Sequence, residues 1–217
     1  MNLQSLKSTM NTAEFLSRVG FHGKTGDWTR VDRALNAEGK WESSLTDIND
    51  ALASEGALVD LTNIKLGWLK FDGGVDIQVQ HHSLPAIPQP SNNHKDGLML
   101  EIWLPKTVSD GSPLREFSHT AAGVKNAVND LHTAWERGAE NIDSAEREAG
   151  EIVPLVKIGV EPFSTKNGVF QKPVFTIAGW LPRPVEWGMP APLGAAPAPP
   201  QLTVAPASPA GDEPLPF

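Results

Sequence analysis

Three features of this 217-residue sequence predict a mainly β fold with helices and a disordered tail. Apolar residues alternate with period two in several segments, as in strands that bury one face. One segment instead repeats apolar residues every three or four positions, as in an amphipathic helix. Residues 188–217 hold 9 of the 19 prolines and no lysine or arginine, so we expect them to be disordered and not to form a core. Residues 1–187 remain as the body, which at roughly 150 residues per domain is one domain.

Five strands are predicted, the first three from alternation and the last two as apolar runs rich in β-branched residues. In the third, Leu98, Leu100, Ile102 and Leu104 share the face that we expect in the core, and Trp103 lies on the other face. Lys166, Asn167 and Gly168 sit where a hairpin turn needs positive φ, so the last two strands are expected to pair. The predicted strands are residues 64–71, 75–80, 98–104, 152–160 and 173–181.

Helices are predicted at three places. The first twenty residues form a weak amphipathic pattern, and residues 43–52 allow a short helix. The long helix is expected to start with Ser112 as its cap and Pro113 as its first residue, and to continue through residues 144–151. Residues 21–41 mix glycine, charge and tryptophan and are predicted to be loop or short strand. The stripe that defines the long helix consists of Phe117, Ala121, Val124, Val128, Leu131 and Trp135.

Five antiparallel strands with a helix between the third and the fourth follow the order of the OB-fold, a small five-stranded barrel that binds oligonucleotides. We therefore predict an OB-fold-like barrel over residues 1–187, a disordered Pro/Ala-rich linker over residues 188–210 and a separate tip over residues 211–217. The pattern also fits another α+β sheet.

Several functional classes are disfavoured by the residues present. The chain has no cysteine, so disulfides, thiolate metal sites and cysteine nucleophiles are excluded. His81 and His82 would point to opposite faces of a strand, so they do not suit one metal ion. There is no glycine-rich phosphate loop after a strand and no nucleophile elbow. The sequence therefore predicts a protein that is not an enzyme and needs no cofactor or metal.

The charge distribution limits the choice of partner. The net charge is −8, and the body carries all 18 basic residues with 24 of the 26 acidic ones. This balance disfavours a duplex binder, which relies on phosphate contacts. It permits a single-strand binder, because bases also stack on aromatic rings. The sequence shows neither a secretory signal nor a long apolar span, so we expect a cytoplasmic protein that does not bind membranes.

The candidate DNA-binding residues are aromatic and basic side chains on predicted strands and in the last hairpin. Trp68 and Lys70 share one face of the first predicted strand, and Trp103 lies on the non-core face of the third. The alternative for both tryptophans is that they pack beneath the N-terminal helix. The hairpin, a loop that OB-folds use for binding, contributes Lys166, Phe170 and Lys172.

The C-terminal tip has a composition suited to capture by another protein. Two acidic residues precede a terminal aromatic ring with its own carboxylate, a combination that fits a basic and apolar pocket. The residues are Asp212, Glu213, Leu215, Pro216 and Phe217.

On these residues the chain resembles the single-stranded DNA-binding proteins of bacteria and their phages, which end in an acidic tip with Pro-Phe. The body also resembles a divergent phage-type member, through residues 67–71, 115–118 and 173–184. The resemblance implies an OB-fold that coats single-stranded DNA, and a tip that recruits replication, recombination or repair proteins. The tip departs from the family in having only two acids, with Pro214 after them.

A second reading is a non-enzymatic adaptor or structural phage protein whose sheet domain and Pro-rich tail bind proteins. The tail lacks the basic flanks expected of a polyproline ligand, so DNA binding is the favoured reading. Both readings allow a homo-oligomer.

Overall fold

The protein is mainly β, as predicted from the alternation, and ten strands form one sheet. A computed structural model describes residues 17–71, 75–79, 88–138, 142, 145, 150–166 and 168–188. The strands are β1 (Arg18–His22), β2 (Asp27–Leu35), β3 (Trp41–Asp47), β4 (Ala57–Val59), β5 (Lys65–Phe71), β6 (Val75–Val79), β7 (Lys95–Trp103), β8 (Leu114–His119), β9 (Ile152–Thr165) and β10 (Gly168–Pro182).

The sheet differs from the predicted five-stranded barrel. Its hydrogen-bonded order is β10-β9-β4-β7-β8-β1-β2-β3, with β5 paired to β7 and β6 paired to β5. The two ends of this order, β10 and β3, do not pair in the part of the chain that is described, so the sheet stays open. All pairings are antiparallel except that of β1 with β8. The barrel expected from five strands is therefore replaced by a larger open sheet.

The sheet nevertheless curls until its β10 end meets the turn between β1 and β2. The Gln171 amide in β10 donates a hydrogen bond of 2.7 Å to the Gly23 carbonyl in that turn. The long helix, α2 (Ala122–Arg137), also packs against β10. The free edge of β10 is thus covered by a turn and a helix, which is one way in which proteins protect an edge strand.

The predicted core face of the third strand is confirmed. Leu98, Leu100, Ile102 and Leu104 are all buried, and the helix stripe packs on the same cluster through Val124, Val128, Leu131 and Trp135. Trp28 from β2 is buried in this cluster, with its ring centroid 5.1 Å from that of Phe117 and 4.8 Å from that of Phe21. The core therefore lies between the sheet and α2.

The predicted start of the long helix is wrong. Residues 114–119 form strand β8 instead, and the helix begins at Ala122, after the Ala121 N-cap. Arg115 and Phe117 in β8 are buried with a period of two. Burial of an arginine is possible here because Asp32, 83 residues away in β2, lies 3.1 Å from its Nη2 atom. Most of residues 144–151, the expected extension of the helix, lie outside the described residues.

The N-terminal half contains strands where the sequence favoured helix for residues 43–52 and loop or short strand for residues 21–41. Residues 21–41 contribute strands β1 and β2, and residues 41–47 form β3, so only the end of the predicted short helix is helical, as α1 (Asn49–Ser54). Arg18–His22 is strand rather than the end of an N-terminal helix, while the rest of that predicted helix, residues 1–16, lies outside the described residues. The linker and tip also lie outside them.

Candidate nucleic-acid interface

Two half-buried aromatic residues lie side by side on the long β9–β10 hairpin. Phe163 and Phe170 are cross-strand partners, with ring centroids 6.1 Å apart, and both are half-buried. Neither ring belongs to the two hydrophobic clusters of the described chain. Beside them, Lys172 pairs across the strands with Glu161, and the Nζ–Oε1 distance is 2.7 Å. These four side chains share one side of the hairpin, which we call the hairpin face.

The hairpin ends in the predicted turn. Gly168 has a φ of +118°, which confirms that this position needs a conformation favourable for glycine. Lys166 lies exposed in the turn, and Asn167 is outside the described residues. The turn therefore places a lysine at the far end of the hairpin face.

The turn between β1 and β2 adds a basic residue that the sequence analysis did not single out. The Gln171–Gly23 hydrogen bond brings this turn against the hairpin, and exposed Lys24 follows Gly23 directly. Gly26 in the same turn lies against the side chains of Gln171 and Val160, which lie on the side of the hairpin opposite the hairpin face. The position of Lys24 near the hairpin could not be predicted from sequence, because Lys24 is more than 140 residues from the hairpin and only a long-range contact brings the two together.

The start of α2 packs directly on the hairpin face. A Cβ atom at Gly123 would lie 3.3 Å from Cζ of Phe163, a tighter contact than usual, and 3.5 Å from Cβ of Lys172, so the helix backbone lies close to the Phe163 ring. Beside this contact a groove of about 370 Å³ opens between α2 and the hairpin. We call it the α2 groove; Asn126, Asp130 and Glu161 are among its lining residues.

Charged neighbours keep Lys172 protonated. The hydrogen bond that Lys172 donates to Glu161, followed by the negative charges of Glu161 and Asp130, raises the pKa of Lys172. This side chain is thus a permanent cation, but one that Glu161 already contacts. The hairpin face can offer it to a phosphate only in competition with that carboxylate.

Trp68 and Lys70 lie on the other side of the start of α2. They share one face of β5, as predicted, and both are half-buried. Trp68 is opposite Asp96 of β7, and the Asp96 carboxylate forms an ion pair with Lys125 of α2. Because Lys125 is two residues from Gly123, the first turn of α2 connects the Trp68 surface with the hairpin face.

Trp103 is separated from these residues. It lies at the opposite end of β7 from Asp96, seven residues away, or roughly 23 Å along a strand, and on the opposite face of the sheet. One side of its ring is stacked on Trp187, with centroids 5.7 Å apart and planes inclined by 26°. The structure thus does not bring Trp103 together with the other candidate residues, and its stacking on a base stays a prediction.

The residues around Trp187 form a closed network at the end of β10, which we call the C-terminal clasp. Arg183 donates a hydrogen bond of 2.6 Å to Asp60, and its guanidinium carbon lies 4.6 Å from the Trp187 ring centroid. The Trp187 Nε1 atom donates to Glu101 at 2.8 Å. Trp187 ends a short 3-10 helix, Val185–Trp187, so the clasp fixes the point where the chain leaves the body.

Histidines play structural roles where they are described near the interface. His119 Nδ1 accepts a hydrogen bond of 2.9 Å from the Ala121 amide, next to the first residue of α2. Burial lowers the pKa of His119, so the ring is neutral at pH 7. Among the described residues, no group of three or more histidine and acidic side chains is arranged to hold a metal ion, and no helix is long and apolar enough to span a membrane.

Phe163 is a residue of the candidate interface that was not predicted from the sequence. It could have been predicted, because counting back from the Lys166–Gly168 turn pairs Phe163 with Phe170.

Comparisons with protein-family models, with curated proteins and with solved structures found no match for the chain.

Proposed function

We propose that this protein binds and coats single-stranded DNA through the hairpin face. The observation that carries the proposal is the Phe163–Phe170 pair, two half-exposed rings outside both hydrophobic clusters and flanked by lysines. Aromatic rings of this kind stack bases of any sequence. Half-exposed aromatic rings outside a core leave apolar surface in contact with water, so their presence side by side on the hairpin favours a binding role.

The lysines around the pair are placed to hold the backbone of a strand. Lys166 is exposed in the hairpin turn, and Lys172 lies on the hairpin face beside Phe170. Two cations next to the ring pair suit contacts to phosphates of a bound strand, although the chain is acidic as a whole. A strand that leaves the hairpin face past the start of α2 reaches Trp68 and Lys70, which extends the proposed interface.

The proposed role includes replication, recombination or repair, with partner proteins recruited through residues 211–217. The acids and the terminal Phe217 support this part, since such an end suits a basic, apolar pocket. The interface and the end of the body lie apart, because the C-terminal clasp holds the chain at the far end of β7. A partner that binds the tip would hold its acidic residues away from the hairpin face, which would then be open to DNA.

The decisive experiment compares two neighbouring residues of β10. Phe170→Ala removes a ring from the hairpin face and should weaken binding to labelled oligo-dT by about 1–3 kcal/mol, measured by fluorescence anisotropy. Val169→Ala is the matched control, because Val169 is 65% exposed on the opposite side of the same hairpin and should bind as the wild type does. Thermal unfolding followed by circular dichroism checks that both variants keep the fold.

Two further measurements separate this proposal from other forms of binding. Affinity for oligo-dT should fall as salt rises, and duplex DNA should bind much more weakly. If Phe170→Ala and Val169→Ala bind oligo-dT equally well, or if duplex and single strand bind alike, the hairpin face is not a single-strand interface.

A further inference from the structure

The α2 groove has the size and walls of a site for one flat ring. Its volume of about 370 Å³ is at the lower end of the range for small-molecule sites. Ala122, Gly123 and Ala127 leave room on the helix side, and the rings of Phe163 and Phe175 form the hairpin side. A nucleobase is a flat ring system that suits an aromatic wall.

Phe163 belongs to both the groove and the hairpin face, so the two are parts of one surface. Its ring rests on the helix backbone at Gly123 and has Phe170 as its neighbour on the other strand. A base that stacks on this ring pair therefore lies at the mouth of the groove. Its polar edge would meet the groups that line the groove.

Those groups are mostly acceptors. Asn126 and Asp130 are four residues apart on α2 and therefore on the same side of the helix. Across the groove, Glu161 is engaged by Lys172 at 2.7 Å. Two carboxylates and one cation leave the groove with a negative balance, which disfavours a phosphate inside it.

The donors and acceptors of the four bases differ in a way that such a groove can distinguish. Cytosine carries an amino group, a pair of donors, where uracil and thymine carry a carbonyl oxygen. The Asp130 carboxylate can accept a hydrogen bond from the amino group, and it repels the carbonyl oxygen. The Asn126 side-chain amide can donate to the ring nitrogen or carbonyl beside it.

We infer that the α2 groove holds one base of the bound strand and favours an amino-bearing base, cytosine over uracil, through Asp130. This inference rests on the proposed function and adds a base preference to it. The preference is for one base among the several that the protein covers, and the remaining bases are held by stacking.

The test compares oligo-dC with oligo-dU of equal length at pH 8, where cytosine tracts stay unpaired. Homopolymers ensure that the same base occupies the groove in every register. The wild type should bind oligo-dC about 3- to 10-fold more tightly than oligo-dU, the effect of one exposed charge-assisted hydrogen bond. Asp130→Asn should bring that ratio close to one. Asp50→Asn, which removes an exposed carboxylate from α1, should keep the wild-type ratio.

The outcomes distinguish this inference from the proposed function. Equal binding of both tracts by the wild type overturns the inference and leaves single-strand binding intact. A preference that survives in Asp130→Asn overturns the assignment to Asp130. Absence of binding to both tracts overturns the proposed function and the inference together. The ratio is used because removal of any carboxylate can raise the affinity for both tracts alike.

Discussion

Replacing Arg183 by methionine should destabilise the body strongly, because the substitution leaves a buried carboxylate without its cation. The Asp60 side chain is fully buried and that of Arg183 is 4% exposed. Asp60 would keep only its hydrogen bonds from Thr62, at 3.0 Å from the amide and 2.6 Å from the hydroxyl. Removal of one partner from such a pair costs about 3–5 kcal/mol.

A cost of this size is measurable in a domain of this length. At roughly 2–4 °C for each kcal/mol, Arg183→Met should lower Tm by about 6–20 °C. Urea titration at 25 °C, followed by circular dichroism, gives the free energy of unfolding independently of Tm. Oligo-dT affinity measured well below Tm should stay close to the wild-type value, because the clasp and the hairpin face lie at opposite ends of β10.

Two variants show whether burial is the cause. Lys40→Met removes an ion pair of similar length, 2.8 Å to Glu38, but both side chains are at least 70% exposed, so Tm should not change measurably. The double variant Asp60→Leu with Arg183→Met removes both charges and should recover much of the loss. Equal Tm values for Arg183→Met and Lys40→Met, or a double variant no better than Arg183→Met, would refute this reasoning.

Two other predictions concern pH and the tail. The folded protein holds His119 neutral while the unfolded chain protonates it near pH 6.5, so the free energy of unfolding should decrease as pH falls from 7 to 5, by at most about 1.4 kcal/mol per pH unit. His119→Asn keeps an acceptor for the Ala121 amide and should show a smaller decrease in urea titrations; an unchanged decrease would contradict this origin. Truncation after Gly188 should leave Tm unchanged, abolish partner capture in a pull-down, and hold or raise oligo-dT affinity at low salt.

The strands that could be predicted from sequence are those in which local pattern and burial agree. In β7, alternating leucines and isoleucine face the core, and in α2 the apolar residues follow the helical period. Strand β8 was predicted as helix, and β2 was left open between loop and short strand, because the buried residues of both include charged ones. Arg30 is buried with Asp32 at 2.6 Å, and Arg115 finds the same carboxylate from another strand. From sequence alone a charged residue is predicted to be exposed, because the distant partner that allows its burial is not known.

Residue types typical of turns and helix starts gave one wrong prediction and one correct prediction. Ser112 and Pro113 have the identities of a helix start, yet a strand follows them, since Phe117 has to reach the Trp28 ring in the core. The Lys166–Gly168 turn was predicted correctly. Phe170 and Lys172 follow this turn two residues apart on β10, so they lie on one side of the hairpin. The position of α2 against that side could not be predicted, because it depends on tertiary packing that brings Gly123 onto Phe163.

The expected effect of truncation depends on whether the tip can reach the hairpin face. The clasp fixes the chain at Gly188, just beyond Pro182 at the end of β10, and Lys172 lies ten residues back, roughly 33 Å along the strand. A flexible chain of 29 residues, as the composition of residues 189–217 predicts, has a root-mean-square length of about 27–32 Å. That length matches the distance, so Asp212, Glu213 and the terminal carboxylate would sample the lysines of the hairpin face at high effective concentration. Truncation should then raise the affinity most at low salt, and a loss of oligo-dT binding would show that the tail belongs to the interface.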